Sequence, residues 1–164
     1  MSLQKKISDS QIIMTELVLP NHTNQLGNLL GGQLMHWIDI CAALSAAKHN
    51  QRVCVTASVD RIDFHHPIRL GDAVTLIASI NRVFKTSMEV GVKVFAQNFR
   101  EGTKIHSNTA YLTFVGVDNV GKPVEAVEAI PETEDEKRRY DEACLLYTSP
   151  SPRDRTRSRM PSSA

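Results

Sequence analysis

Asp39 is the residue whose placement most demands an explanation. It is followed and preceded by Met35, Trp37, Ile38, Ile40, Cys41, Ala42 and Ala43, and burying a carboxylate among such groups is costly unless it is paired or its proton affinity rises. Aspartate is also a poor helix former, so propensity gives no reason for it. A general base fits this position. So does a structural aspartate that caps a loop or bonds His36, one turn away.

Gly31 and Gly32 lie just before or at the start of the same segment. Glycine lets backbone approach a ligand closely, and the first N–H groups of a helix have no intrahelical partner. A carbonyl placed there would have its developing oxyanion stabilised by N–H groups and by the helix dipole. The alternative is that the two glycines only turn the chain or pack against a sheet. Asn28, shortly before them, carries an amide that can donate to a carbonyl or hold a water, and asparagine is equally a common helix-entry cap. Lys85, Thr86 and Ser87 cluster in a turn that could hold phosphate or simply be solvated.

Other chemistries lack their residues. The six histidines show no HExxH or comparable spacing, and the three cysteines form no CxxC pair, so no metal site is expected. Ser45 and Ser58 have no nucleophile elbow around them, and there is no GxSxG, GxGxxG or GxxxxGK[ST].

The elements that must position these residues can be read from periodicity. Residues 10–19, SQIIMTELVL, predict a first strand stopped by Pro20. From Leu34 the apolar residues Trp37, Ile38, Cys41 and Leu44 recur at three and four over an alanine-rich filler, which predicts a long helix. Almost every face of it is apolar, so it is expected to be wrapped by the rest of the chain. The period then becomes two. Residues 53–64 predict a strand with an irregularity near Asp60–Arg61, and 73–84, 87–99 and 105–117 predict three more. Met88, Val90, Val92, Val94 and Ala96 point inward, with Glu89 and Lys93 outward. Short connections make neighbouring strands antiparallel. The expected fold is therefore α+β: a five-stranded antiparallel sheet wrapped around one long central helix, the hotdog arrangement, with open edges that invite dimer formation.

Three regions are expected: a domain over 1–131, a short charged helix over 132–143, and a disordered tail over 144–164. The chain has 164 residues, 41% hydrophobic and 23% charged, which suits one soluble domain. The final segment combines Pro150, Pro152 and Pro161 with five serines and four arginines and has no periodic apolar face. It resembles translated sequencing-adapter read-through; a genuine basic tail is the alternative reading. Without it the chain holds 15 basic and 17 acidic residues, and the net charge moves from +1 to −2, so no nucleic-acid partner is expected. No secretory signal or membrane-length apolar run is visible, and three unpaired cysteines fit a reducing compartment. The expected location is cytoplasmic, with no membrane partner.

Four ordered motifs carry a family resemblance: GNLLGGQLMHWIDICAA, DRIDFHHPIRLGD, FKTSMEV and TAYLTFVGVDNVGKPVE. From about Leu17 to Val124 the chain resembles the hotdog acyl-CoA thioesterases of the short-chain bacterial and brain acyl-CoA hydrolase group. The resemblance implies hydrolysis of acyl-CoA to a carboxylic acid and coenzyme A, with coenzyme A as part of the substrate and no cofactor. It implies a site shared between two copies, with Asp39 of one facing Asn28 of the other, and the Gly32 N–H receiving the oxyanion. It places Gly31, Ser58, Lys85, Thr86 and Ser87 against the substrate, and it implies dimers, assembled as trimers of dimers. Two rivals remain. One is a hydratase or dehydratase on the same fold, with His36 or His65 beside the acid. The other is an acyl-CoA-binding sensor, although only about nine residues precede the first strand.

Overall fold

The computed structural model describes residues 4–148, with side chains described through Ala143. Its centre is α1 (Gly31–Asn50), 20 residues held between an extended Leu30 and a left-handed Gln51 at φ 53°. Leu34, Trp37, Ile38, Cys41, Ala42 and Ala46 form its buried stripe. They face a five-stranded antiparallel sheet whose strands are β2 (Ile12–Leu17), β3 (Cys54–Phe64), β4 (Ala73–Val83), β5 (Ser87–Asn98) and β6 (Thr103–Gly116). A short parallel pair, β1 (Gln4–Lys6) with β7 (Glu128–Ile130), closes one side. The hotdog arrangement expected from the sequence is present.

Alternation explains the middle of the sheet. Val74, Leu76, Ala78 and Ile80 of β4 meet Val90, Val92, Val94 and Ala96 of β5 in register, and all are buried against α1. The order β2-β4-β5-β6-β3 departs from the simple expectation that consecutive strands are neighbours. The loop after β3 crosses over, so β3 pairs with β6 and becomes an edge. Its register slips between Thr56 and Ser58 and again between Val59 and Arg61, the second at the irregularity expected from the sequence.

Two further departures concern exposure. The helix is not wrapped on all sides: Ile40 and Leu44 on α1 remain 37% and 47% exposed, and on the edge strand Val59, which pairs with the inward-facing Leu112, is 41% exposed. Glu89, expected to face outward into water, is buried instead. The cover is α2 (Glu134–Thr148), which packs on the convex side of β4. Arg139 Nη1 donates to Ser79 Oγ (3.0 Å) and Asn81 Oδ1 (3.2 Å), and Asn81 Nδ2 donates to Glu89 Oε2 (2.9 Å). Gly91 makes room for this chain, because a Cβ there would come within 2.9 Å of Asn81 Nδ2. Burial pushes the Glu89 carboxyl above its ordinary value, partly offset by the bond from Asn81. The helix starts at Glu134 and runs to Thr148, five residues into the segment expected to lack structure; positions 149–164, with the rest of the suspected read-through, lie outside the described residues.

Candidate active site

Asp39 sits on the open side of α1, half-buried, and not in an apolar core. Its partner is on the edge strand: Thr56 Oγ1 donates to Asp39 Oδ1 at 2.7 Å. No hydrogen bond or ion pair joins it to His36 or His65. A hydroxyl donor of this kind holds one carboxylate oxygen and leaves the other free. Thr56 was not singled out in the sequence, since a threonine in a strand is ordinary. Only the contact across to the helix marks it.

Gly31 and Gly32 open the helix as its first two residues. A Cβ on either would meet nothing within 4 Å, and neither has the positive φ that demands glycine. Packing and turning therefore do not explain them within one protomer. Their N–H groups have no acceptor among the described residues, because the first helical bonds run from Gln33 and Leu34 to Leu30 O. They form an open cradle for an anion or a carbonyl oxygen.

The loop leading to the helix is held by Asn24. Its Oδ1 accepts from the N–H groups of Leu26 (2.9 Å) and Asn28 (3.1 Å), and its own N–H donates to Asn28 O (2.9 Å). Gly27 takes φ +78° in the turn this creates. The Asn24 Nδ2 group is left exposed and unpaired among the described residues. Asn28 does not cap the helix, whose N-cap is Leu30 without a side-chain bond. Its backbone bridges to Arg69, and its Oδ1 is buried without a partner.

The remaining candidates are scattered. Ser58 Oγ donates to Asp60 Oδ1 (2.7 Å) within β3. Lys85, Thr86 and Ser87 form the β4–β5 turn, in which Phe84 N–H donates to Ser87 O and Ala126 N–H donates to Lys85 O. Registers through Val115 put this turn at the sheet end where β3 begins. Cys41 is no nucleophile: burial pushes its thiol up to about 11. Among the described residues no group of three or more His, Cys, Asp or Glu could hold a metal ion, and no helix is long and apolar enough to cross a membrane.

Distance decides how the pieces can work together. Gly32 and Asp39 lie on one helix seven residues apart, about 10 Å at 1.5 Å per residue. A reacting carbonyl must lie about 3 Å from its oxyanion donor and from the attacking nucleophile, and a base that works through water stands one hydrogen bond further away. Within one protomer a carbonyl held at the cradle is therefore too far from Asp39 for direct attack, and the separation is near the limit of what one intervening water can bridge.

Residues 26–103 match the thioesterase superfamily. The chain is 43% identical over 128 residues to an uncharacterized acyl-CoA thioester hydrolase of Bacillus subtilis, YkhA, covering 78% of this chain and 74% of that one. It is 36% identical over 143 residues to the cytosolic acyl coenzyme A thioester hydrolase of Rattus norvegicus, but spans only 38% of that longer protein. The crystal structure of an apo-hexameric acyl-CoA thioesterase superposes with a TM-score of 0.86 at 37% identity, over 96% of this chain and 97% of that one. The Staphylococcus aureus acyl-CoA hydrolase, solved with butyryl coenzyme A, coenzyme A and coenzyme A disulfide, gives 0.81 at 34% identity, over 98% and 94%. Alanine variants of that hydrolase have been solved at an asparagine, an aspartate and a threonine. Its aspartate follows the asparagine by fifteen positions, and its threonine follows the aspartate by seventeen. Asn24, Asp39 and Thr56 have those two spacings here, whereas Asn28 precedes Asp39 by eleven positions.

Proposed function

Because this chain belongs to the thioesterase superfamily and is a hotdog-fold thioester hydrolase, we propose that it hydrolyses acyl-CoA to a free carboxylic acid and coenzyme A at a site completed by a second copy of itself. The observation that carries the shared site is the separation of the Gly31–Gly32 cradle from Asp39 along a single rigid helix. The exposed edge strand offers the means. Thr56, beside Asp39, lies toward one end of β3, and Phe64, beside the helix start, lies at the other. Antiparallel pairing of β3 with its own copy about a two-fold axis brings the Asp39 end of one protomer against the Gly31 end of the other. It also covers Ile40, Leu44 and Val59.

In this reading the thioester oxygen accepts from the Gly32 N–H, with Gly31 lining the approach. Asp39 of the other copy takes a proton from water as the water oxygen attacks the carbonyl carbon, and Thr56 orients the carboxylate. The tetrahedral intermediate collapses with cleavage of the carbon–sulfur bond, and the proton held by Asp39 passes to the departing thiolate. A thiolate leaves readily, so no separate strong acid is needed. The asparagine that steadies the water or carbonyl is Asn24, whose amide N–H₂ is free, and not Asn28 as the glycine-rich motif first suggested. Lys85, Thr86 and Ser87 remain candidates for the nucleotide end of coenzyme A, and Ser58 for a lesser contact. The hexameric relative supports an assembly of six, for which we propose a trimer of such dimers, and the cytosolic rat enzyme supports a cytosolic location.

A panel of acyl-CoA esters read with a thiol-detecting reagent tests this directly. Wild type is expected to release coenzyme A, and Asp39→Asn to lose about 10²–10⁴-fold in kcat while remaining folded. The same assay separates Asn24→Ala, expected to be impaired in kcat, from Asn28→Ala, expected to act mainly on stability. Near wild-type turnover by Asp39→Asn would make Asp39 structural.

A further inference from the structure

Asn108 ends the inward-facing stripe of β6 formed by Phe114, Leu112 and Ala110, and it is as completely buried as they are. Where the apolar pattern turns polar the strand also bulges. Val94 pairs with Asn108 and the next residue, Phe95, with His106, so Ser107 is left over. The bulge pins the turn after β3: Ser107 Oγ donates to His66 O (2.8 Å), His65 N–H donates to Ser107 O (3.1 Å), and Asn108 Nδ2 donates to Asp63 O (3.1 Å). That last bond fixes which way the amide faces, because a backbone carbonyl accepts and never donates. Asn108 Oδ1 is thus a fully buried acceptor with no partner, a situation folded proteins rarely tolerate without a reason.

The reason lies in the cavity it borders. Asn108 lines a space of about 290 Å³ together with Gly31, Leu34, Phe64 and Ile68, and with the exposed His65 and His66 at its mouth. One wall is the helix start with its unpaired N–H groups, and most of the rest is apolar. The volume is at the lower end for small-molecule pockets, enough for one arm of a thioester and not the whole ligand.

We propose that this cavity is a substrate subsite in which Asn108 Oδ1 accepts a hydrogen bond from an N–H or O–H on the acyl-CoA, making Asn108 a specificity-determining residue. The inference rests on the thioesterase reading above. The donor belongs either to the pantetheine arm, as an amide N–H, or to the acyl arm, as a hydroxyl near the thioester. Because Asn108 Oδ1 is buried with no partner of its own, a ligand without the donor leaves the acceptor unpaired at full cost.

Two substrate pairs on the intact enzyme distinguish the sources. Butyryl-pantetheine is compared with analogues in which each amide N–H is replaced in turn by an ester oxygen, and butyryl-CoA with 3-hydroxybutyryl-CoA. The expected result is a change of about 10–100-fold in kcat/KM within one pair, lost in Asn108→Leu, which removes the acceptor at similar size. Discrimination in the first pair assigns the donor to pantetheine, and in the second to the acyl chain. Wild-type enzyme that is active but indifferent to both pairs overturns the proposal and leaves the thioesterase reading intact. So does an Asn108→Leu protein that keeps the wild-type preference. The substrate pairs need no variant, so misfolding of Asn108→Leu does not protect the idea. Failure of wild type to cleave any ester would instead remove the reading on which it rests.

Discussion

The two halves of one sheet differ in how far a single chain finishes them. On β4 and β5 the inner face is sealed against α1, and on the outer face α2 covers even Glu89 through Asn81 and Arg139. On β3 eight of the eleven residues are exposed, Val55, Val59 and Phe64 among them. The closed half holds the fold together, and its only candidates are Lys85, Thr86 and Ser87 in the β4–β5 turn. The open half contains Thr56 and faces Asp39 and the glycine cradle. In the shared-site reading, chemistry is placed where the protomer is incomplete, and completing the protomer and completing the site are the same event.

A charge in the open half should break that event most severely. Leu44→Asp leaves the protomer core untouched, but puts an unpaired carboxylate into the surface that a second copy covers. An unpaired charge buried in this way costs about 3–5 kcal/mol, at roughly tenfold in association per 1.4 kcal/mol. Size-exclusion chromatography should show the assembly split, with activity falling in parallel and helical circular dichroism retained. Leu76→Ala is the matching lesion in the closed half. Leu76 is fully buried between α1 and the sheet, and its truncation should lower unfolding stability by about 2–5 kcal/mol in denaturant titration, with specific activity per folded molecule preserved. If Leu44→Asp instead melted the protomer, or Leu76→Ala dissociated it, the division between the halves would fail.

Glu89→Gln should give the smallest effect. Burial raises the carboxyl of Glu89 in the folded chain, so its contribution to stability is fully present below the ordinary glutamate value and is lost as pH rises through the raised one. Glutamine can still accept the bond from Asn81 and carries no charge to desolvate. The variant should therefore melt a little higher than wild type near neutral pH, with the gap closing as pH falls below the ordinary glutamate range. A gap that widened in acid would show that Glu89 is held there as an anion.

The same division explains what could be read from the sequence. Strict alternation over Met88–Ala96 was legible because each inward residue meets the core of its own chain. The outward position of Glu89 misled, because its cover arrives from α2, some fifty residues later. Ile40 and Leu44 looked like core because an apolar residue awaiting a second copy has the composition of one already buried. The edge position of β3 was hidden for a related reason: its partner β6 is remote in sequence, and periodicity does not report pairing. Asp39 and the glycine pair were visible as misfits in their local context. Asn24 and Thr56 were not, since an asparagine in a polar loop and a threonine in a strand break no local rule. Only the turn held by Asn24 and the 2.7 Å bond to Asp39 single them out.

Subunit mixing tests the shared site most directly. Asp39→Asn removes the base, and Gly32→Val fills the open cradle without a clash at Cβ inside its own protomer. Each variant alone should form a nearly inactive oligomer. If the cradle of one copy works with Asp39 of the other, every mixed dimer has one doubly damaged site and one built entirely from intact residues. Random exchange of equal amounts makes half the dimers mixed, so about a quarter of wild-type activity should return. Continued inactivity, after differently tagged subunits have been shown to co-purify, would mean that every site carries one of the two lesions and that each protomer holds its own.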